Sequence, residues 1–305
     1  MPARRPIFIV NPAAGAGRGQ ARWEQFKREL ERDGTEVEHV YTSRPGEAMQ
    51  LARERARSHE TLFAVGGDGT AFEVASGILA SESPQPALGV VPVGTGNDIS
   101  AALGIGGLAQ AGEAFRAGRM SSIDVIRIEC QVENQPAVRH ALLFAAVGIA
   151  SEALKRTTPT VKRLFGERLA YPAGLFRALW SYPAPRLRVA LDRQLEQKRF
   201  LLVCASNSEC AGGGMKLAPG ARMDDGRLNV NLIEALGRWA AFMQLRRVCQ
   251  GRHTSHPNAR YLTASEVTME SDTPLEVAAD GELIGCTPAR FVVEPRGLRV
   301  VAADT

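Results

Sequence analysis

The 305-residue chain reads as an α/β domain built on a parallel sheet, followed by an antiparallel β-sandwich domain. Three observations predict this. Over residues 1–123, short apolar runs alternate with helical stretches, the pattern of strands joined by crossover helices. Over residues 124–295, apolar runs follow one another with few helices between them, which suits strands paired antiparallel. The closing segment, 296–305, opens on another strand-like run and is expected to join the first domain.

The elements follow in order. IFIV (7–10) is strand one, and Gln20 to Arg32 has helical spacing. VEHVY (37–41) is strand two, followed by a helix from Glu47 to Ser58. TLFAV (61–65) is strand three, with a helix from Thr70 to Ala80. Thr70-Ala-Phe-Glu73 fits a capping box that would start that helix. ALGVV (87–91) is strand four, and helical turns continue to about Ala117. Beyond Asp124 the strands are DVIRIEC, RHALLFAAV, RLRVALD, RFLLVCASN, RLNVNLIE, ARYLTASEVTME, PLEVAAD, ARFVVEP and LRVVAAD. Helical stretches at about 160–182 and 237–249 interrupt them.

Net charge is only +4, which gives a nucleic-acid function little support. The charge is uneven. Lys155 to Arg199 holds eleven Lys/Arg against three Asp/Glu, while the rest holds 26 against 30. Such a basic segment is either a solvated face or a surface for anions. Five cysteines without a C-x-x-C spacing predict reduced thiols and a cytoplasmic protein. The N-terminal apolar run is too short for a signal peptide. The longest apolar run, Ala141 to Ala150, is far below the roughly 20 residues of a spanning helix.

The chemistry concentrates where strands end. Strand three runs into Gly66-Gly67-Asp68-Gly69-Thr70 and then a helix. Glycines let backbone N–H groups approach a ligand, and a helix N-terminus adds positive partial charge, so the turn suits a polyphosphate. Asp68 there addresses a Mg2+ or a ribose, or else it simply closes a tight turn. Strand four repeats the arrangement in Gly94-Thr95-Gly96-Asn97-Asp98. Neighbouring parallel strands would bring both loops to one sheet edge, where Asp68 and Asp98 could share a metal ion. Strand one ends in NPAAGAGRG (11–19), which is neither G-x-G-x-x-G nor a Walker loop.

These loops, in this order, resemble the diacylglycerol kinase catalytic-domain family of lipid kinases, which includes sphingosine and ceramide kinases and shares its fold with NAD kinases. The matching residues are NPAAGAGRG (11–19), GGDGT (66–70), GTGND (94–98), SNSECAGGGMKLAPGARMDDGRLNVNLIE (206–234) and VAADGELIGCTPARFVVEP (277–295), so the resemblance spans nearly the whole chain. It implies a nucleotide-binding domain and a β-sandwich lipid-kinase domain, with ATP and Mg2+ as cofactors. By resemblance Asn11, Thr42, Gly66, Gly67, Asp68, Gly69, Thr70, Gly94, Thr95, Gly96 and Asn97 bind the nucleotide, and Asp68 and Asp98 organise Mg2+. Asp280 takes the proton of the acceptor hydroxyl, with Glu282 as its partner or as the base itself. A second metal site resembles Asp225 with the carbonyls of Arg222 and Arg227. The chain departs from the pattern at Phe72, where many members have Asn, and at Ala101, where many have Arg.

The expected activity is ATP-dependent phosphorylation of a lipid hydroxyl, of diacylglycerol or a similar lipid. The alternatives are an NAD kinase-like enzyme and a catalytically silent nucleotide-binding protein. Expected partners are a lipid substrate, a second copy of the chain in a homodimer, and the inner membrane surface through 160–188. That segment interleaves Lys/Arg with Phe165, Tyr171, Phe176, Trp180 and Tyr182. Its aromatics either rest in a membrane interface or face the core. Asp280-Gly281 is also a strong turn signal. His253-Thr-Ser-His256 lacks a third ligand at useful spacing and reads as a loop.

Overall fold

The structure, a computed structural model, describes residues 5–81, 85–157, 174–192 and 194–303. It divides into two compact units, residues 1–123 with 296–305, and residues 124–295.

In the first unit, four apolar runs form β1 (Ile7–Val10), β2 (Glu38–Tyr41), β3 (Thr61–Gly66) and β4 (Ala87–Pro92). They pair in parallel in the order β2-β1-β3-β4, with Ile7 beside both Glu38 and Leu62 and Thr61 beside Ala87. β1, β3 and β4 are buried along their whole length, as expected of strands covered on both faces. Near the C-terminus Val300 adds a parallel partner for Leu88. A helix α1 is nominal: Ala14–Gly17 contains left-handed Gly15 and Ala16. The helix α2 (Gly19–Arg32) places Trp23, Phe26 and Leu30 on one stripe against the sheet. Trp23 meets Phe8 at 5.1 Å between ring centroids, and Phe8 stacks on Phe63 at 4.8 Å. The helices α3 (Glu47–Arg55), α4 (Asp68–Leu79), α5 (Asp98–Ala102) and α6 (Leu108–Ala117) follow.

The capping box expected at Thr70–Glu73 does not form. Helix α4 already begins at Asp68, with Gly67 as its cap residue. Glu73 instead accepts the backbone N–H groups of Gly46 (2.9 Å) and Ala48 (3.1 Å), at the start of α3. The carboxylate satisfies another helix's unpaired donors instead of its own.

The second unit is antiparallel. Its strands are β5 (Met120–Val132), β6 (Gln135–Ala141), β7 (Phe144–Gly148), β8 (Arg186–Leu191), β9 (Gln194–Ser206), β10 (Leu228–Glu234), β11 (Ala259–Ala264), β12 (Glu266–Glu270), β13 (Glu276–Ala279) and β14 (Glu282–Val301). Pairing runs β9-β7-β13-β14-β12-β8 and returns to β9, while β10 and β11 extend from β9. Helices α7 (Ile149–Arg156), α8 (174–181) and α9 (Arg238–Cys249) lie in the same unit. Two boundaries differ from the sequence reading. RHALLFAAV is divided at Leu142 and Leu143, whose N–H groups go to a side chain instead of a ladder. ARFVVEP and LRVVAAD form one continuous strand, β14. The part of the basic segment at 158–173, with Phe165 and Tyr171, lies outside the described residues.

Cys130, Cys204, Cys210 and Cys286 are unbridged thiols. Among the described residues, no helix is long and apolar enough to cross a membrane.

His140 lies opposite Arg127 in the β5–β6 ladder, with its Nε2 3.8 Å from Glu294. The Glu294 contact favours imidazolium, but burial, with Arg127 and Arg139 nearby, outweighs it and pushes the ring down to about 4. The unfolded chain takes up this proton near pH 6.5, the folded chain only near pH 4. Stability therefore falls as pH drops through that window, by up to about 3 kcal/mol, and the effect is absent above it. Urea denaturation at stepped pH values should show His140→Gln losing less stability than wild type between pH 6.5 and 4. Equal slopes would remove His140 as the cause.

Candidate functional site

Three loops of the first unit meet at the carboxyl ends of its strands. The Gly66 carbonyl accepts N–H bonds from Val93 (2.9 Å) and Gly94 (3.1 Å). The backbones then pass so close that a Cβ on Gly94 would overlap Gly67 Cα, and one on Gly66 would overlap the Thr70 side chain. Only glycine fits these positions without displacing its neighbour. Asn11 joins the first loop to the second: its Nδ2 donates to Thr70 Oγ1 (3.1 Å), and its N–H donates to Val65 O (2.9 Å). Thr42, nearly buried after β2, donates its N–H to Val10 O (2.9 Å). Thus Asn11, Thr42, Gly66, Gly67, Asp68, Gly69, Thr70, Gly94, Thr95, Gly96, Asn97 and Asp98 all belong to this one sheet edge. Gly69, Thr95 and Gly96 are exposed there.

Asp68 stands in the first turn of α4 and ties the two loops together. Its Oδ1 accepts the N–H of Ile99 (2.9 Å), the residue after Asp98. Its Oδ2 faces Gly96, where a Cβ would stand only 2.6 Å away. Asn97 has left-handed φ of 64° as the cap residue of α5. Its Nδ2 donates to Gly94 O (3.1 Å), and its buried Oδ1 has no hydrogen-bond partner among the described residues. Two arginines border the loops: Arg18 Nε donates to Gly15 O (3.2 Å) and Arg22 Nη1 to Val93 O (3.4 Å). The sequence reading did not single out Arg22. Its one signal was a helical spacing that carries it past the glycine run.

The second unit gathers a different set. Asp280 and Gly281 form the two-residue turn between β13 and β14, both with positive φ (46° and 93°). Asp280 is 7% exposed. Its Oδ2 accepts the N–H of Leu142 (2.6 Å), and its Oδ1 accepts those of Leu143 and Phe144 (2.9 Å each). The turn and the acid are therefore one device. Glu282, two residues on, is exposed.

Asn207 is fully buried behind this turn. Its Nδ2 donates to Leu142 O (2.9 Å) and to Asp124 O (2.7 Å), and its N–H donates to Leu143 O (2.7 Å). Asp124, also fully buried, accepts the Gly226 N–H at Oδ2 (2.7 Å) and donates its own N–H to Met223 O (2.6 Å). These bonds shape the loop that carries Arg222, Asp225 and Arg227. Within it Asp225 Oδ1 accepts the Arg227 N–H (3.0 Å), and the Arg222 guanidinium pairs with Asp224. Neither Asp124 nor Asn207 was foreseen as part of a site. Among the described residues, no three His, Cys, Asp or Glu side chains converge as metal ligands. His253 and His256 do not form a pair of ligands: His253 Nε2 is 3.1 Å from both Leu217 O and Asn231 Oδ1, and His256 Nδ1 accepts the Asn258 N–H.

Comparison with known proteins gives a consistent picture. The diacylglycerol kinase catalytic domain family matches residues 5–128, and the YegS C-terminal NAD kinase beta sandwich-like domain matches residues 145–302. A diacylglycerol kinase of Staphylococcus aureus (strain MRSA252) is 31% identical over 312 aligned residues, covering 99% of this chain and 93% of that protein. One from Staphylococcus saprophyticus subsp. saprophyticus is 29% identical, covering 95% and 92%. Among solved structures, a diacylglycerol kinase from Bacillus anthracis str. Sterne superposes with a TM-score of 0.73 at 20% identity, covering 99% of this chain and 98% of that one. Yeast NADH kinase complexed with NADH gives 0.53 at 11%, covering 99% and 84%. At these identities the structural matches speak for the fold alone.

The contact between Gly67 and Gly94 predicts a local intolerance. Gly94→Ala must push two backbones apart and should cost about 1–3 kcal/mol. Gly106→Ala meets no atom within 4 Å and should stay within about 0.5 kcal/mol of wild type. Chemical denaturation of both variants checks this, and equal stabilities would refute the close approach.

Proposed function

Because the chain belongs to the diacylglycerol kinase catalytic-domain family, we propose the following division of labour for a lipid kinase that moves the γ-phosphoryl group of ATP to a lipid hydroxyl. Diacylglycerol is the acceptor named for its relatives, and a lipid of that kind is proposed here. Residues 1–123 with 296–305 serve as the nucleotide-binding domain, and residues 124–295 as the lipid-kinase domain.

The observation that carries the reading is the glycine cradle between GGDGT and GTGND. It lacks Cβ atoms where the chains approach, and it sits at the N-terminus of the twelve-residue helix α4. Backbone donors and a helix N-terminus suit phosphate oxygens. The unpartnered Asn97 Oδ1 offers an acceptor for a donor on the nucleotide or its water. Thr95, exposed in the same loop, offers a hydroxyl, and Arg18 and Arg22 add positive charge beside it. Asn11, Thr42 and Thr70 hold the loop walls in place.

The acids near these loops suit a divalent cation better than bare phosphate. Asp68 Oδ2 faces open glycine, and Asp68 is bonded to the residue that follows Asp98. Mg2+ is commonly held by one or two carboxylates with water and substrate phosphates supplying the rest, so two acids suffice. Asp68 and Asp98 would hold it, and when bound it would neutralise charge on the phosphoryl group in transfer. The 222–227 loop, with Asp225 and the carbonyls of Arg222 and Arg227, is proposed as a second, structural cation site.

Asp280 is proposed as the group that meets the acceptor hydroxyl. Leu142, Leu143 and Phe144 donate three backbone N–H groups to its carboxylate, so the fold sets how the acid is aimed. Phosphoryl transfer proceeds through a loose transition state, in which little charge builds on the nucleophile before the bond forms. Placement of the acceptor for its proton then counts for more than basicity. Glu282, exposed beside the turn, would pass the proton on to water.

Labelled ATP, Mg2+ and diacylglycerol in mixed micelles test the reading. Asp280→Asn should lower kcat by at least about 10²-fold with nucleotide binding retained, and Glu282→Gln should cost less. Asp68→Asn should raise the Mg2+ concentration needed for half-maximal rate. Turnover of NAD in place of any lipid, or nucleotide binding without turnover, would replace this reading by an NAD kinase-like or a silent nucleotide-binding protein.

A further inference from the structure

Helices α8 and α9 share a small core. Leu175, Ala178 and Leu179 of α8 and Ala241 of α9 pack with Ile149 and Ala153 of α7 and Leu201 of β9. That stripe fixes which sides face outward. On α8 the outward positions are Phe176 (52% exposed), Arg177 and Trp180 (56%). On α9 they are Arg238, Trp239 (73%) and Met243 (41%).

These aromatics are joined into one surface. Trp180 stacks on Phe176 at 5.9 Å, Phe176 meets Phe242 edge-on at 6.3 Å, and Phe242 stacks on Trp239 at 5.8 Å. The Arg238 guanidinium lies 5.8 Å from the centre of the Trp180 ring. The described residues of the two helices, GLFRALWS and RWAAFMQLRRVC, include arginines and no Asp or Glu. A row of exposed aromatics of this length marks an interaction site on a water-soluble surface.

The charges decide between occupants. A second copy docking through the same face would set arginine against arginine, with no acid among the described residues of either helix to offset them. An anionic bilayer offers what the face lacks: phosphates for the guanidinium groups and a boundary region in which tryptophan is at home. We propose that the outer face of α8 and α9 is a docking surface for an anionic lipid bilayer. Trp180, Trp239, Phe176 and Met243 enter the boundary between headgroups and acyl chains, and Arg177 and Arg238 meet lipid phosphates. The proposal extends the lipid-kinase reading, whose acceptor lies in such a bilayer, and rests on it only there.

The full chain is tested with vesicles of phosphatidylcholine, with and without phosphatidylglycerol. The third tryptophan, Trp23, is fully buried, so a vesicle-induced blue shift in emission reports on Trp180 and Trp239. Wild type should shift and co-sediment with the anionic vesicles. Trp180→Ala/Trp239→Ala should bind at least about tenfold more weakly, and Arg177→Glu/Arg238→Glu should lose the preference for anionic lipid by about tenfold or more. The four positions are exposed, and thermal melts of both variants should match wild type. Turnover of vesicle-embedded diacylglycerol should fall in the tryptophan variant, while turnover of a short-chain, monomerically dispersed diacylglycerol should stay at the wild-type rate. Vesicle binding by the tryptophan variant equal to wild type overturns the docking surface. So does a change from dimer to monomer in that variant with vesicle binding intact, which assigns the face to a second copy. Wild-type docking without turnover of either lipid supports the surface and sinks the kinase reading.

Discussion

The candidate nucleotide site depends on one backbone contact. Gly66 gives its carbonyl to two N–H groups of the next loop, and Gly67 and Gly94 then lie in van der Waals contact. From this contact the rest of the sheet edge follows. Helix α4 can start at Asp68 because the chain turns tightly enough after β3, and α5 can start at Asp98 because Asp68 takes the N–H of Ile99. An acid in the first turn of α4 is favourable to that helix and serves as a donor's partner for the next. Asp68 therefore belongs to the architecture of both loops before any ligand arrives. Its second oxygen faces Gly96, where no Cβ crowds it.

The second unit treats its acid in a similar manner. Asp280 and Asp68 are both held by main-chain N–H groups. A carboxylate fixed by backbone donors loses rotational freedom, and its aim is set by the fold. The cost falls on the strand that supplies the donors: Leu142 and Leu143 leave the ladder, and β6 and β7 are separated there. Asn207 repairs that break from behind by bonding the carbonyls of Leu142 and Leu143, and through Asp124 it reaches the 222–227 loop. Buried polar networks of this kind hold their geometry because each lost bond would leave a partner unpaired in the interior.

This pattern explains what could and could not be read from the sequence. IFIV, TLFAV and ALGVV sit in β1, β3 and β4 because a short apolar run bounded by Gly, Pro or Asn is a local signal. The turn at Asp280-Gly281 was equally local, needing only two residues that accept positive φ. Glu73 was misread because its partners, Gly46 and Ala48, lie more than twenty residues away, and a capping box is judged from four. Asp124 and Asn207 gave no signal, since a buried polar side chain looks in sequence like an exposed one. The division of RHALLFAAV at Leu142 was hidden for the same reason, as the competitor for its N–H groups stands 138 residues downstream.

The aromatic segment shows the limit of periodicity from another side. Helical spacing places Phe176 and Trp180 on one face, but spacing is indifferent to which face is buried. In α8 that choice is made by Leu175, Ala178 and Leu179, which form a second stripe and are the buried one. Tyr182, just beyond the helix, is partly buried against the same core, and its hydroxyl is pushed up to about 12 by burial. Among the described aromatics of the segment, one thus served the interior and two were left outside. Two helices with separate sequences, α8 and α9, then present their surplus aromatics to one another across a shared surface. An exposed indole on one helix is ordinary, whereas four rings in contact on two helices, flanked by arginine and with no acid among the described residues of either helix, constitute a surface with a chemical preference.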